Sequence, residues 1–296
     1  MKKGLAVLIA VLLLLGTVAC DSVSTPEIQK PITPGTDNQP TAAADSANSE
    51  ATIEEVVLMD EAGIKITAKE LSSDSFFGPE VKVLIENTSE LDLTVQTRNV
   101  SVNGYMMDPL FSVDVASGKK ANDAITFSDS SLEKCGIETI ADIELSFHIF
   151  TTEDWKTHYD SPLIQLKTSA ADSYTYNFDD SGEMVYEQDD IKIVVKGLSD
   201  DDILGPEVLV YIYNGGQDNI TVQTRDVSVN GFMVDPIFSS DVGSGKHCVD
   251  SISFLSSDLE DNGITEITSL ELVFHIFNSD SWDSSVDTDP ITLNFA

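Results

Sequence analysis

Apolar and polar residues alternate with a period of two through most of residues 53–168. Ile64 and Ile66 alternate with Lys65 and Thr67, and Val81, Val83 and Ile85 with Lys82 and Leu84. Later, Ile143, Leu145, Phe147 and Ile149 alternate with Glu144, Ser146 and His148. Successive side chains of a strand point to opposite faces, so this pattern predicts β-strands with one buried face. Asn103-Gly104 and Asn230-Gly231 are two-residue hairpin signals, because both central residues of such a turn need positive φ. Gly118-Lys119 and Gly245-Lys246 mark further turns. Ser130-x-x-Glu133 and Ser257-x-x-Glu260 read as capping boxes that open a turn or two of helix.

The parity of the apolar positions slips once. Leu93 and Val95 are odd-numbered, whereas Val100 and Val102 are even-numbered. A slip of one residue would turn the whole apolar set to the other face, so a β-bulge or a change of sheet is expected between Thr97 and Asn99. Arg98 sits at the slip and Arg225 at its counterpart, and these are the two arginines of the chain. Each is either a ligand-facing guanidinium or a clamp that ties the bend to a carboxylate such as Asp108 or Asp114.

The same pattern occurs twice. Residues 55–168 align with 182–295 at a constant offset of 127, and about half of the aligned positions are identical. Phe77-Gly78-Pro79-Glu80-Val81 answers Leu204-Gly205-Pro206-Glu207-Val208, and Thr94-Val95-Gln96-Thr97-Arg98 recurs unchanged as Thr221-Val222-Gln223-Thr224-Arg225. Each unit is long enough for a β-sandwich with its own core. The expected fold is all-β: two tandem immunoglobulin-like β-sandwich domains, at 53–168 and 182–296, joined by a linker at 169–181.

The N-terminus carries a different signal. Lys2 and Lys3 precede an apolar run from Leu5 to Leu15, and Gly16-Thr17-Val18-Ala19 leads into Cys20. The run is short for a membrane span and has the layout of a secretory signal peptide over 1–19. With Cys20 in the next position it resembles a bacterial lipobox, which implies acylation of the Cys20 thiol and anchoring to the outer face of the cell membrane. Residues 20–52 hold Pro26, Pro31, Pro34 and Pro40 among Ser, Thr, Ala, Asp and Asn, without apolar periodicity, and are expected to form a disordered tether.

Charge narrows the partners. Aspartate and glutamate number 51 against 16 lysines and arginines, a net charge of −35. Such a surface excludes nucleic acid and anionic membranes as partners, and either attracts cations and basic proteins or serves solubility. Calcium is a weak expectation, from Asp200-Asp201-Asp202 and from Asp280, Asp283, Asp287 and Asp289, because neither group has the spacing of a helix-loop-helix calcium site. Beyond Cys20, Cys135 aligns with Asn262 and Cys248 with Ala121, so a disulfide repeated in each unit is excluded and both thiols are expected to be unpaired.

Enzymatic motifs are missing. Gly243-Ser244-Gly245-Lys246 resembles the end of a phosphate loop, but Ser240 and His247 stand where that loop needs Gly and Ser or Thr. His148 and His275 are the one matched pair of histidines, expected on the strand face opposite Phe147 and Phe274. No catalytic activity and no cofactor are expected.

The stretches IKITAKEL, VKVLIENTS and VASGKKANDAITF, with Ile191, Val208 and Ser244-Gly245-Lys246 in the second copy, resemble the telokin-like, immunoglobulin-fold domains of unknown function in Gram-positive lipoproteins. The resemblance implies fold and location and no activity. The expected function is a cell-surface lipoprotein acting as a non-enzymatic binding or spacer module toward a protein or glycan. The alternative is an extracellular solute- or calcium-binding protein, or an accessory subunit of a transporter or enzyme. The candidate contact patches are Tyr105-Met106 and Phe232-Met233, which otherwise belong to the core behind the hairpin.

Overall fold

In the computed structural model of the chain, residues 51–73, 75–199 and 205–295 are described. The expected signal peptide, Cys20, nearly all of the tether and Asp200-Asp201-Asp202 lie outside them. The described residues are all-β with two one-and-a-half-turn helices. The first repeat supplies β1 (Val56–Glu61), β2 (Ile64–Ser72), β3 (Glu80–Asn87), β4 (Leu93–Val102), β5 (Tyr105–Met106), β6 (Ser112–Val115), β7 (Lys120–Thr126), α1 (Asp129–Lys134), β8 (Asp142–Thr151), β9 (Thr157–Asp160) and β10 (Ile164–Lys167). The second supplies β11 (Glu183–Gln188), β12 (Ile191–Ser199), β13 (Glu207–Asn214), β14 (Ile220–Val229), β15 (Phe232–Met233), β16 (Ser239–Val242), β17 (Lys246–Ser253), α2 (Ser256–Asp261), β18 (Ser269–Asn278), β19 (Val286–Asp287) and β20 (Ile291–Asn294).

The strands form three sheets. One has the order β1-β2-β3-β7, and one has the order β15-β14-β18-β19 with β16 on β14 and β20 on β18. The third runs β10-β8-β4-β5-β17-β13-β12-β11, with β6 on β4 and β9 on β8, and so takes strands from both repeats. The seam is the short parallel pairing of β5 with β17, where the His247 N–H donates to the Gly104 carbonyl at 3.0 Å.

The period-two positions are the core. Ile64, Ile66, Val81, Val83, Ile85, Ile143, Leu145, Phe147 and Ile149 are all essentially inaccessible to solvent. Burying one such side chain contributes about 1.5–3 kcal/mol, which sets the register of every strand. Two separate apolar clusters result, one around Phe147 and one around Phe274. Both Asn-Gly hairpins form as expected: Asn103 and Gly104 have φ of 51° and 85°, and Asn230 and Gly231 have 51° and 84°. The parity slip is a bulge. Pairing of β4 with β8 shifts between Arg98 and Ser101, and of β14 with β18 between Arg225 and Ser228.

The capping boxes are placed differently from expectation. The residue before α1 is Ser128 and the residue before α2 is Leu255, neither with a side-chain cap, so Ser130 and Ser257 lie inside the helices. Ser130 shares a 2.7 Å hydrogen bond with the Ser128 hydroxyl instead.

Candidate functional site

The outward side of the β6-β4-β8-β9 layer carries polar groups in rows. Strand β4 turns Leu93 and Val95 inward and therefore presents Thr94, Gln96 and Arg98 outward. Gln96 faces Ser112 on one side and His148 on the other, and its amide donates to the Ser112 hydroxyl at 3.2 Å. The imidazole Nδ1 of His148 donates to Asp160 Oδ1 at 2.5 Å. In the adjoining row Thr94 Oγ1 donates to Asp114 Oδ1 at 2.6 Å and lies 3.0 Å from the Thr152 hydroxyl.

An aromatic ladder closes this face. His148 lies against Phe150, with ring centroids 5.2 Å apart, and Phe150 stacks on Trp155 at 5.5 Å with the planes 14° apart. His148 and Phe150 are buried, whereas Trp155 is 76% exposed. Its backbone has φ of 59°, in the left-handed region where a bulky side chain costs about 1–2 kcal/mol. The turn that imposes this φ is closed by the Trp155 N–H, which donates to the Thr151 carbonyl at 2.9 Å.

The second repeat builds the same face. Gln223 donates to Ser239 at 3.2 Å, His275 to Asp287 at 2.6 Å, and Thr221 to Asp241 at 2.5 Å. Phe277 lies 5.2 Å from His275 and 5.4 Å from Trp282, and Trp282 is 75% exposed with φ of 61°. Sequence reasoning missed both tryptophans. The available signal was that the chain's two Trp residues align at the repeat offset, which neither core formation nor a turn requires.

The sequence-derived candidates are dispersed. Arg225 is half exposed on this face, with Nη1 3.6 Å from Asp287; Asp287, rather than the counterpart of Asp108 or Asp114, is its partner. Arg98 makes no ion pair among the described residues and lines a cleft of about 670 Å³ between the repeats, together with Asp108, Asp241, Asp250 and Asp280. Both cysteines are unpaired and buried, and both line the same cleft. Burial pushes the Cys135 thiol up to about 12 and the Cys248 thiol well above its ordinary value.

The two expected contact patches part company. Phe232 and Met233 are exposed, at 48% and 66%, whereas Tyr105 is buried and Met106 partly so. Tyr105 is covered by Phe178 from the linker and by the second repeat. Its ring centroid is 5.3 Å from Phe178 and 5.8 Å from His247, and burial pushes its hydroxyl up to about 12. Tyr105 is thus a contact within the chain.

Of the calcium candidates, Asp287 is taken by His275 and Arg225, and Asp280 accepts from the Asn219 amide at 3.4 Å. Among the described residues no group of three or more His, Cys, Asp or Glu side chains is arranged to hold a metal ion.

No family model matches the chain, and no curated protein matches it. Among solved structures the chain is similar to the YadV chaperone, at 11% identity and a TM-score of 0.24, covering 79% of this chain and all of that one. It is also similar to the CsuC–CsuE chaperone–tip adhesion subunit complex of Acinetobacter baumannii, at 13% identity and a TM-score of 0.21, covering 70% and 90% of the two chains. A protein of unknown function from Porphyromonas gingivalis is similar at 13% identity and a TM-score of 0.21, covering 73% and 91%. Likeness at this level carries no assignment of partner or activity.

Proposed function

We propose that this chain is an extracytoplasmic lipoprotein, acylated at Cys20 and held to the outer face of a bacterial membrane. Its two repeats are tandem immunoglobulin-like β-sandwiches, spaced from the membrane by residues 20–52, and they act as non-enzymatic binding modules. One observation carries the reading: each repeat holds an exposed tryptophan, in left-handed backbone, over the same polar sheet face. One side of each ring stacks on Phe150 or Phe277, and the large area left open to solvent at a conformational cost suits contact with something outside the chain.

Two experiments test the two halves of this reading. An alkyne-bearing fatty acid fed to the producing bacterium labels the wild-type chain and leaves Cys20→Ser unlabelled; an unlabelled wild type overturns the anchor. The purified full chain adheres to intact cells of that bacterium, and Trp155→Ala with Trp282→Ala removes the adherence. Equal adherence of both proteins overturns the binding face.

A second reading, an extracellular solute-binding protein, rests on the cleft between the repeats. It has the volume of a small-molecule site and is lined by Arg98 and the carboxylates of Asp108, Asp241, Asp250 and Asp280.

A further inference from the structure

The two repeats have drifted unevenly, and the unevenness follows the faces of the sheets. Nine residues of the outward face described above, Thr94, Gln96, Arg98, Ser112, Asp114, His148, Phe150, Trp155 and Asp160, are identical at their counterparts 127 residues on, whereas Thr152 becomes Ser279 and Ser146 becomes Val273. The outward positions of β3 and β7 behave differently. Glu80 is kept as Glu207, but Lys82, Leu84, Glu86, Lys120, Asn122 and Ala124 become Leu209, Tyr211, Tyr213, His247, Val249 and Ser251. About half of all aligned positions differ, and outward positions are the ones that packing constrains least. Tyr211, Tyr213 and His247 changed to receive Tyr105 of the first repeat, and a common ligand accounts for the nine positions kept on the other face.

The chemistry of the face narrows that ligand. The Trp155 ring has Phe150 stacked behind it and its other side open, which makes a flat platform and not a cage. The face of an aromatic ring is electron-rich and attracts polarised C–H groups, such as those presented by one side of a pyranose ring with equatorial hydroxyls. The same sheet face carries groups suited to hydroxyls: the Gln96 amide, which both donates and accepts, and the Ser112 hydroxyl. A cationic ligand finds few free carboxylates on this face. Those there are occupied: Asp114 by Thr94, Asp160 by His148, and Asp287 by His275 and Arg225. An anionic glycan is disfavoured by the net charge of −35.

We infer that each repeat carries a carbohydrate subsite, with Trp155 or Trp282 as the stacking platform and Gln96 or Gln223 as the hydroxyl reader, for a neutral, β-linked, equatorially substituted pyranose chain. This rests on the binding-module reading and names its ligand class. Two subsites in one chain make the protein bivalent toward a polymer, so affinity for a polysaccharide exceeds that for a short oligosaccharide.

Trp155 and Trp282 are the only tryptophans, so intrinsic fluorescence reports both platforms directly. The full chain is titrated with cellohexaose and with chitohexaose. The expected result is a saturable change in emission with at least one of them, which each single Trp→Ala variant reduces by roughly half. By calorimetry, Trp155→Ala with Trp282→Ala weakens binding about tenfold or more. Gln96→Ala with Gln223→Ala weakens it with both tryptophans in place and with the emission of the free protein unchanged, which a purely structural role would not produce. Absence of both emission change and heat with the two hexasaccharides overturns the inference. So does a response to hexalysine alone that disappears in about 0.5 M salt, which would make the platform a cation site. Adherence to cells that still depends on the tryptophans, without any hexasaccharide response, would leave the binding module standing and remove the glycan.

Discussion

The imidazole of His247 lies flat on the ring of Phe178, with centroids 3.5 Å apart and planes 12° apart. Phe178 comes from the linker, and the Cβ that Gly104 lacks would sit 3.2 Å from its ring. Tyr213 stacks on His247 at 4.6 Å, and the Tyr211 hydroxyl is 2.7 Å from its Nδ1. The linker is pinned alongside, with Lys196 2.8 Å from the Asp179 carboxylate and Lys192 2.5 Å from Asp180. This aromatic box, completed by Tyr105, joins the two repeats.

Burial in the box lowers the affinity of His247 for a proton to a pKa of about 4, with Lys246 adding to the shift and Asp180 opposing it. The unfolded chain takes up that proton near pH 6.5, so it binds more protons than the folded chain between the two values. The resulting stability is complete above about pH 6.5 and is lost as the pH falls toward 4. Melting at pH 7.5 and pH 5 is expected to show a larger drop for the wild type than for His247→Phe. Equal drops would mean that His247 is hydrated in solution.

Among the described residues, two ion pairs cross between the repeats. Lys246 Nζ is 2.5 Å from Glu144, both side chains being about four-fifths buried, and Lys134 is 3.1 Å from the buried Glu207 and 2.8 Å from the Ser251 hydroxyl. Removing one partner of a largely buried pair strands the other charge. Lys246→Met is therefore expected to destabilise by about 1–3 kcal/mol, and adding Glu144→Gln to restore part of the loss. Additive losses in the double-mutant cycle would deny the pairing.

The buried thiols of Cys135 and Cys248 carry little thiolate at neutral pH, and the thiolate is the reactive form. Iodoacetamide at pH 8 is expected to label neither in the native protein and both after denaturation. The proposed acylation of Cys20 leaves two reactive thiols of the three in the sequence. A third reactive thiol after denaturation would contradict the anchor.

Asn103 turns its hairpin and also ties it to the neighbouring strand. Its side-chain oxygen accepts from the backbone N–H of Ala141 at 2.9 Å and of Asp142 at 3.0 Å, and its amide donates to the Thr139 carbonyl at 2.8 Å. Asn103→Ala loses these bonds and the tolerance for positive φ, for an expected cost of about 2–4 kcal/mol in chemical denaturation. Asn103→Gly keeps the φ and loses only the bonds, so it is expected to fall between the two. If Gly matched wild type, the hydrogen bonds would be dispensable.

Calcium at millimolar concentration is expected to leave the melting temperature unchanged to within about a degree, since Asp280 and Asp287 already have partners. A rise of several degrees that a chelator reverses would instead support the calcium-binding alternative.

The local features of this protein were legible in its sequence. Strand identity, the inward set from Ile64 to Ile149, the two Asn-Gly turns and the bulge after Arg98 depend on periods of two and on φ, both properties of neighbouring residues. Ser130 misled because a capping box is a pattern of four residues, whereas the start of α1 depends on where the preceding strand releases the chain. Tyr105 and Phe232 mark what only the tertiary structure decided. They occupy the same position of the same hairpin, and one is buried while the other is half exposed. The difference lies more than 100 residues away, where Tyr211, Tyr213 and His247 replace Leu84, Glu86 and Lys120 and so provide a receiving surface only in the second repeat. The tryptophan faces are of the same kind. Period two placed Gln96 and His148 on outward faces, but only strand pairing set Ser112, Gln96, His148 and Asp160 side by side. Such a row joins four strands, and the free energy that aligns them comes from the core on the other side of the sheet.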